Sequence, residues 1–306
     1  MERVLVTGGA GFIGSFVAKK LLDLGKDVIV LDDLSVGKKE YVPKNAKFIK
    51  GSILDKKLVD RLIKKTDSVY HLAVAGLQFS LEHPMETWEI NATGTLNLLI
   101  AAKKYGKKVI YVSSSEVYGN AQYVPMDENH PLVPRTPYAA SKLAGEKCSM
   151  SFFLTFNLPV IIVRPFNVFG PHAREDKYAP VITRFALDVL KNNPPTIFGN
   201  GEQTRDYTFV KDTARGIVLA GEEEKLIGDV INIGSGNEIK IKYIAEKIIE
   251  MLGKEIEPIF IEERKGDVSR MCADVRKAKK LLGFKPEYSF ERGMEVYINW
   301  LKRKYS

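Results

Sequence analysis

The first half of the chain alternates short apolar runs with longer stretches whose apolar residues recur at helical spacing. Residues 3–6, 27–31, 47–49, 68–71, 108–113 and 160–164 are strand-length runs rich in β-branched and aromatic residues. Runs with so little polar alternation predict strands buried on both faces. Between them, 11–24 and 91–105 carry the periodicity of helices. Strands separated by such crossovers imply βαβ units, and hence an α/β, doubly wound parallel sheet. The pattern breaks after Arg164-Pro165, where Pro171, Pro180, Pro194-Pro195 and the turn-rich Gly199-Asn200-Gly201 follow. Helical patterns then alternate with short strands, such as 230–233 and 257–260. The expected organisation is a nucleotide-binding unit over 1–167 and a smaller α/β substrate-binding unit over 168–306, with a few later strands returning to the first. There are no internal repeats, low-complexity tracts or long linkers.

Composition narrows the class. Among 306 residues, 45% are hydrophobic and 27% charged, enough to bury a sizeable core and to exclude disordered, collagenous and coiled-coil classes. Cys148 and Cys272 are the only cysteines, too few for a disulfide framework or a cysteine-based zinc site, so no metal is expected. The N-terminus runs through Val4-Leu5-Val6 into glycines without a signal-peptide core, and no apolar stretch approaches the ~18 residues of a membrane helix. The chain therefore reads as a soluble, cytoplasmic protein without a membrane partner. Its net charge of +8 suits a polyanionic ligand. The basic residues, however, are interleaved with acids, as in Lys38-Lys39-Glu40 and Glu262-Glu263-Arg264-Lys265. That scatter describes a solvated surface better than a nucleic-acid footprint, so a phosphorylated small molecule is expected and nucleic acid is not.

The stretch from Val4 to Gly14 carries the most chemistry. Gly9, Gly11 and Gly14 satisfy the dinucleotide fingerprint, and Gly8, Gly11 and Gly14 form a second spacing at the same place. Glycine is needed where backbone turns tightly and approaches a pyrophosphate, which the N–H groups of the next helix then hold. An isolated fingerprint is also compatible with an ordinary turn; its place after a strand and before a helix favours dinucleotide binding. Asp32-Asp33 ends the second strand at the spacing, about 20 residues on, where an acid bonds the ribose hydroxyls and repels a 2′-phosphate. NAD is thus expected over NADP, although one of these aspartates capping a turn is the plain alternative.

Tyr138 and Lys142 stand four residues apart, as do Tyr207/Lys211 and Tyr243/Lys247. Context separates the first pair. Tyr138 follows Pro134-Arg135-Thr136-Pro137, a helix-start signal, so both side chains project from one face of a helix. The strand before it ends in Ser113-Ser114-Ser115-Glu116-Val117-Tyr118-Gly119, whose hydroxyls would face the ligand crevice. A tyrosine near pKa 10 is a poor base until a lysine ammonium and a positive nicotinamide ring stabilise its phenolate. The set suits removal of an alcohol proton while the carbon gives hydride to NAD⁺. The other two pairs are expected to be structural.

These residues resemble the extended short-chain dehydrogenase/reductases, and within them the NAD-dependent nucleotide-sugar epimerases and dehydratases related to UDP-glucose 4-epimerase. The resemblance runs from end to end through residues 7–14, Asp32-Asp33-Leu34-Ser35, His71-Leu72-Ala73, Asn91, Ser114 with Tyr138 and Lys142, Arg164-Pro165-Phe166-Asn167, residues 199–210 and Arg264-Lys265-Gly266-Asp267. It implies a Rossmann sheet binding NAD through Gly8, Gly11, Phe12, Ile13, Gly14, Asp32 and Asp33. Ser52 and Ile53 would flank the adenine, and Leu72, Ala73 and Asn91 would line the cofactor. Tyr138 would be the base, Lys142 would hold the nicotinamide ribose and Ser114 would bond the sugar 4-oxygen. Asn167 and Phe198 would hold the UDP-sugar, and Arg205 and Arg264 would neutralise its diphosphate; a surface salt bridge is the plain alternative for either arginine.

Ser115-Glu116 divides the reactions. Dehydratases of the family carry Asp-Glu before Val-Tyr-Gly, the acid and base that remove water, and here only the glutamate matches. Glu116 is then either the C5 base of a 4,6-dehydratase or a wall of the sugar pocket. The Ser-Glu form also resembles UDP-glucuronate decarboxylases and some UDP-N-acetylglucosamine 4,6-dehydratases; the decarboxylases carry an arginine where this chain has Met271-Cys272-Ala273. Met271 is expected to face the sugar. The expected activity is a UDP-sugar 4-epimerase, acting on UDP-glucose and UDP-galactose by transient C4 oxidation, rotation of the 4-keto sugar and hydride return. A dehydratase is the runner-up, and an NAD-responsive binding protein is the non-enzymatic alternative. The resemblance also implies a homodimer through a four-helix bundle of residues 85–105 and 138–156.

Overall fold

The computed structural model describes residues 1–263 and 269–305. Its sheet begins with β1 (Arg3–Thr7), α1 (Phe12–Asp23), β2 (Asp27–Asp32), β3 (Lys47–Lys50), α2 (Lys56–Ile63) and β4 (Ser68–His71). It continues through α3 (Leu77–Glu82), α4 (Pro84–Trp88), a π-helical turn (Glu89–Thr93), α5 (Gly94–Tyr105), β5 (Lys108–Val112), α6 (Pro137–Phe156) and β6 (Val160–Pro165). Each predicted strand of this half is present. The predicted helix over 91–105 is the last part of a longer helical run that α4 and the π-helical turn begin.

The second half supplies β7 (Val168–Phe169), α7 (Val181–Leu190), β8 (Thr196–Phe198), β9 (Thr204–Arg205), β10 (Thr208–Phe209), α8 (Val210–Glu222), β11 (Asp229–Ile233), β12 (Ile239–Lys240), α9 (Ile241–Leu252), β13 (Ile259–Ile261), α10 (Arg276–Leu282) and α11 (Phe290–Tyr305). β11 leaves this half to pair in parallel with β6, so the sheet reaches beyond residue 167. The resulting order is β11-β6-β5-β4-β1-β2-β3, parallel throughout. The strand expected over 257–260 lies slightly later, as β13.

Helices cover both faces because every central strand is apolar on both. Val17, Ala18 and Leu21 of α1 pack with Ala214, Ile217 and Val218 of α8 against one face. Leu58, Val59 and Leu62 of α2 and Leu98, Leu99 and Ala102 of α5 pack against the other. A separate core gathers Phe169, Phe185, Phe209, Ile244, Ile248 and Tyr297 from β7, α7, β10, α9 and α11. Burying such side chains is worth about 1.5–3 kcal/mol each, which is why the second half forms its own core beside the carboxyl ends of the strands. Among the described residues, no helix is long and apolar enough to cross a membrane.

Candidate active site

The sheet order reverses between β1 and β4, the kind of switch point beside which open α/β sheets bind ligands at their carboxyl ends. At the end of β1 the chain turns through Gly8, which takes φ +69° and donates its N–H to the Leu31 carbonyl at 2.9 Å. A side chain there would press on Ala73 N at 2.7 Å, and one on Gly14 would meet the Gly8 oxygen at 2.1 Å. Both glycines are therefore dictated by packing between backbones. Gly11 caps α1 and differs: an added Cβ would approach only the Gly8 oxygen, at 3.1 Å. Above it the first-turn N–H groups of Phe12, Ile13 and Gly14 lack helical partners, and the helix dipole presents its positive end. This cradle fits a pyrophosphate, and so fits a dinucleotide.

Asp32 secures the cradle. Its carboxylate accepts the N–H groups of Ala10 at 3.0 Å and Leu34 at 2.9 Å. Burial pushes its pKa up, while these two bonds pull it down. Asp33 is exposed and accepts the Ser35 N–H at 2.9 Å. The Lys38 N–H reaches the Ala10 carbonyl at 3.0 Å, closing the loop after β2 onto the glycine turn. Past β3, the Ser52 hydroxyl accepts the Leu54 N–H at 3.2 Å, and Ile53 is buried against Gly94 of α5.

A chain of buried polar groups fixes the segment after β4. Thr7 Oγ1 accepts the N–H groups of Leu72 and Ala73, both at 3.2 Å, and lies 2.7 Å from His71 Nδ1. His71 Nε2 lies 3.0 Å from Thr95 Oγ1, whose proton goes to the Asn91 carbonyl at 2.5 Å. With that proton committed, Thr95 accepts from Nε2–H, and Nδ1 accepts from Thr7. His71 is thus a neutral Nε2–H tautomer, and burial, with Lys142 charge nearby, drives its pKa down to about 3. Asn91 is buried in the π-helical turn. Its amide accepts from Ala75 N at 2.8 Å and donates to Ala75 O at 3.0 Å and Ser141 Oγ at 2.9 Å. Ser141 in turn donates to the Tyr138 carbonyl at 2.7 Å. Asn91 thereby ties the start of α6 to the strand end where Leu72 and Ala73 stand.

α6 begins as its sequence predicts, with Thr136 capping the Ala139 N–H at 3.1 Å and Pro137 in the first turn. Tyr138 and Lys142 lie one turn apart. Lys142 is buried, donates to the Val112 carbonyl at 2.6 Å and sits 4.4 Å over the Tyr111 ring. Burial lowers its pKa to about 7, against the pull of the Glu146 charge. Burial also pushes Tyr138 up to about 12; a hydrogen bond with the Ser114 hydroxyl opposes this, and the charge of Glu116 adds to it. Ser114 caps the short 3₁₀ turn Ser115–Tyr118 by accepting the Glu116 N–H at 3.2 Å. Tyr138, Lys142, Ser114 and Glu116 therefore form one cluster at the end of β5, able to pass a proton to or from a hydroxyl.

Next to it, Met271 is fully buried among Tyr118, Met126, Phe166 and Ala273. Its sulfur accepts from the Ser115 hydroxyl at 3.3 Å and the Asn167 amide at 3.6 Å. Phe198 ends β8 and Arg205 ends β9, where its guanidinium donates to the Thr204 carbonyl at 2.9 Å. Arg264 lies outside the described residues. Of the two other Tyr/Lys pairs, Tyr207 is buried beside Phe290, and the Tyr243 hydroxyl meets Glu291 at 3.2 Å. Sequence reasoning assigned no role to Thr95, Ser141 or Glu146, and it quoted Thr7 and Arg164 within family motifs without one. Glu146 had a local signal, as the third member of a series at spacing four with Tyr138 and Lys142. Among the described residues, no group of three or more His, Cys, Asp or Glu side chains is placed to hold a metal ion.

Residues 5–296 match the family model described as GDP-mannose 4,6 dehydratase. The chain is 37% identical to the UDP-glucuronate 4-epimerase of Thermodesulfobacterium geofontis, covering 99% of this chain and 97% of that one. It is 36% identical to the UDP-N-acetyl-alpha-D-glucosaminuronate decarboxylase of Bacillus cytotoxicus, covering 98% of each. Among solved structures, the UDP-glucose 4-epimerase of Thermotoga maritima with UDP-glucose superposes with a TM-score of 0.95 at 34% identity, covering 99% of this chain and 100% of that one. The UDP-glucose 4-epimerase of Thermus thermophilus in complex with NAD does so with a TM-score of 0.90 at 33% identity, covering 98% and 99%.

Proposed function

Because the chain belongs to the nucleotide-sugar epimerase, dehydratase and decarboxylase family of extended short-chain dehydrogenase/reductases, we propose that it is an NAD-dependent UDP-sugar 4-epimerase, with UDP-glucose and UDP-galactose as its substrates. The observation that carries this reading is the cluster of Tyr138, Lys142 and Ser114 at the end of β5, beside a cradle shaped for a dinucleotide. NAD, held by the glycine turn from Gly8 to Gly14 and the loop that Asp32 secures, would supply the hydride acceptor and donor for the sugar C4. The chain's own part is to hold and move protons. Ser114 orients the 4-hydroxyl towards Tyr138, and Tyr138 takes its proton as the ketone forms. The Lys142 ammonium stabilises the phenolate through this step. The same tyrosine returns the proton once the 4-keto sugar has turned its other face.

Ser115 favours epimerisation over dehydration. At the position where dehydratases of the Asp-Glu type carry an acid, this chain has a buried hydroxyl that donates to the Met271 sulfur. Glu116 alone gives a C5 base without an acid for the departing water, so it serves as a wall of the sugar pocket. Met271, held by Ser115 and Asn167, also occupies the region where a decarboxylase carries its arginine.

The test is product mass after incubating the holoenzyme separately with UDP-glucose, UDP-N-acetylglucosamine and UDP-glucuronate, with chromatography that resolves 4-epimers. An isomer of unchanged mass from UDP-glucose supports the reading. Loss of water would make Glu116 a C5 base, and loss of carbon dioxide would mean decarboxylation. The homodimer belongs to the same proposal. Met85, Trp88, Leu96, Ile100, Leu154 and Phe156 expose apolar surface on α4, α5 and α6, the helices expected in the bundle. Sedimentation equilibrium at twice the chain mass is the expected result.

A further inference from the structure

The helix that carries Tyr138 and Lys142 places Glu146 one turn further on. Lys142 and Glu146 are only 3% and 2% exposed, a depth at which charges need partners. Glu146 is gripped by Arg164 of β6 through a two-pronged contact, Nε to Oε1 at 2.9 Å and Nη2 to Oε2 at 2.7 Å. Arg164 is itself fixed: Nη1 donates to the Tyr118 hydroxyl at 2.9 Å and the Glu128 carbonyl at 3.3 Å. The Tyr118 hydroxyl donates to Asn232 Oδ1 of β11 at 2.7 Å, and the Asn232 amide nitrogen donates to the Met126 carbonyl at 3.0 Å. The Glu146 carboxylate is thus immobilised beside a lysine that, among the described residues, forms no ion pair of its own.

On top of the functional reading above, we infer that Glu146, clamped by Arg164, is a positioning residue whose fixed charge holds Lys142 in the ammonium form that stabilises the Tyr138 phenolate. Side chains four apart on a helix are neighbours, and low-dielectric surroundings strengthen their attraction. Burial pulls Lys142 towards neutrality, and the Glu146 charge is the influence that opposes it. The other groups about Lys142 do not replace it. His71 of β4 is neutral, Tyr111 of β5 offers a ring face, and Glu116 acts on Tyr138. Glu86, Glu89 and Lys103, on the helical elements packed against α6, are exposed to solvent. The two-pronged grip of Arg164 fixes the Glu146 carboxylate on the same side of α6 as Lys142, one turn further along.

The test compares the NAD-loaded wild type with Glu146→Gln, Glu146→Asp and the double variant Glu146→Gln/Arg164→Met, which leaves neither half of the Glu146–Arg164 pair buried alone. Ionisation of Tyr138 is read from phenolate absorbance, each protein against its own Tyr138→Phe counterpart, so this readout needs no turnover. In both glutamine variants Tyr138 should ionise at a pH higher by about half a unit or more. The alkaline limb of the kcat profile should move down as Lys142 loses its proton earlier, with KM for the nucleotide sugar within about twofold. Glu146→Asp should follow the wild type. Unmoved Tyr138 ionisation in the double variant, or an aspartate variant that shifts as far as the glutamine ones, would overturn the inference and leave a structural bolt. If the glutamine proteins do not fold, the aspartate variant decides alone, since retained charge must then retain the wild-type ionisation. Absence of product from the wild type refutes the functional reading instead, and the absorbance titration still stands.

Discussion

Lowering the pH should destabilise this protein through His71, and by an amount the structure sets. Unfolded, the imidazole titrates at the ordinary 6.5; folded, it stays neutral down to about 3 because burial opposes its charge. Between those values the unfolded chain binds one more proton than the folded one, so stability falls as pH drops through the window and levels off below it. At about 1.4 kcal/mol per pH unit, the full window corresponds to about 5 kcal/mol, and the part between pH 7 and pH 5 to about 2 kcal/mol. His71→Asn removes the titration. It also removes the bonds to Thr7 and Thr95, which should cost about 1–3 kcal/mol at pH 7. The variant therefore starts lower but loses less on acidification, and the two curves converge. Urea unfolding at several pH values between 7 and 4.5 measures both lines, and contributions from carboxylates and from His172 are common to both proteins. Parallel lines would refute the tautomer assignment and the burial argument together.

Three further outcomes follow from the site. Tyr138→Phe should lower kcat by about 100- to 10,000-fold while leaving the NAD content of the purified protein unchanged, because the phenol moves a proton and does not build the cradle. Gly14→Ala drives a methyl group to 2.1 Å from the Gly8 oxygen, a backbone atom that cannot rotate away. It should cost about 1–3 kcal/mol in urea unfolding and release bound NAD. Glu116→Gln removes a negative charge that raises the Tyr138 pKa, so Tyr138 should ionise at lower pH and the product should keep the mass of the substrate. Loss of all product formation in that variant would count against the epimerase reading.

The parts of the fold that sequence showed clearly are those whose determinants are local. Residues 4–6 and 160–163 are apolar on both faces, which marks them as interior strands, and their alternation with helices implied the parallel order. The return of β11 to the sheet was harder to see. Asp229–Ile233 is no more apolar than the short strands around it, and the partners that bury its Ile231 and Ile233, Ile161 and Val163 of β6 and Ala214, Ile217 and Val218 of α8, are not visible from the strand itself. The π-helical turn was invisible for a similar reason. Glu89–Thr93 has ordinary helical residues, and its extra width is stabilised by Asn91 reaching Ala75 and Ser141, partners distant in sequence.

The same division runs through the site, and it separates the reacting groups from those that tune them. The glycine turn and the Tyr138/Lys142 pair are recognisable because each function fits within one turn of chain, where spacing alone fixes geometry. Asp32 was legible in place but not in full role: its carboxylate also holds the Ala10 and Leu34 N–H groups, so it shapes the loop that any ribose must approach. The chain from Thr7 through His71 and Thr95 to Asn91 spans β1, β4, α5 and the π-helical turn, and the Glu146–Arg164 pair joins α6 to β6. Such pairs leave no periodic trace, because the sheet brings them together only after it forms. Yet burial pushes the tyrosine up to about 12 against the Ser114 hydroxyl and the lysine down to about 7 against the Glu146 charge, each away from the state catalysis needs. The residues that define the family are therefore necessary for the reaction, and the charges and hydroxyls around them decide whether those residues can perform it at neutral pH.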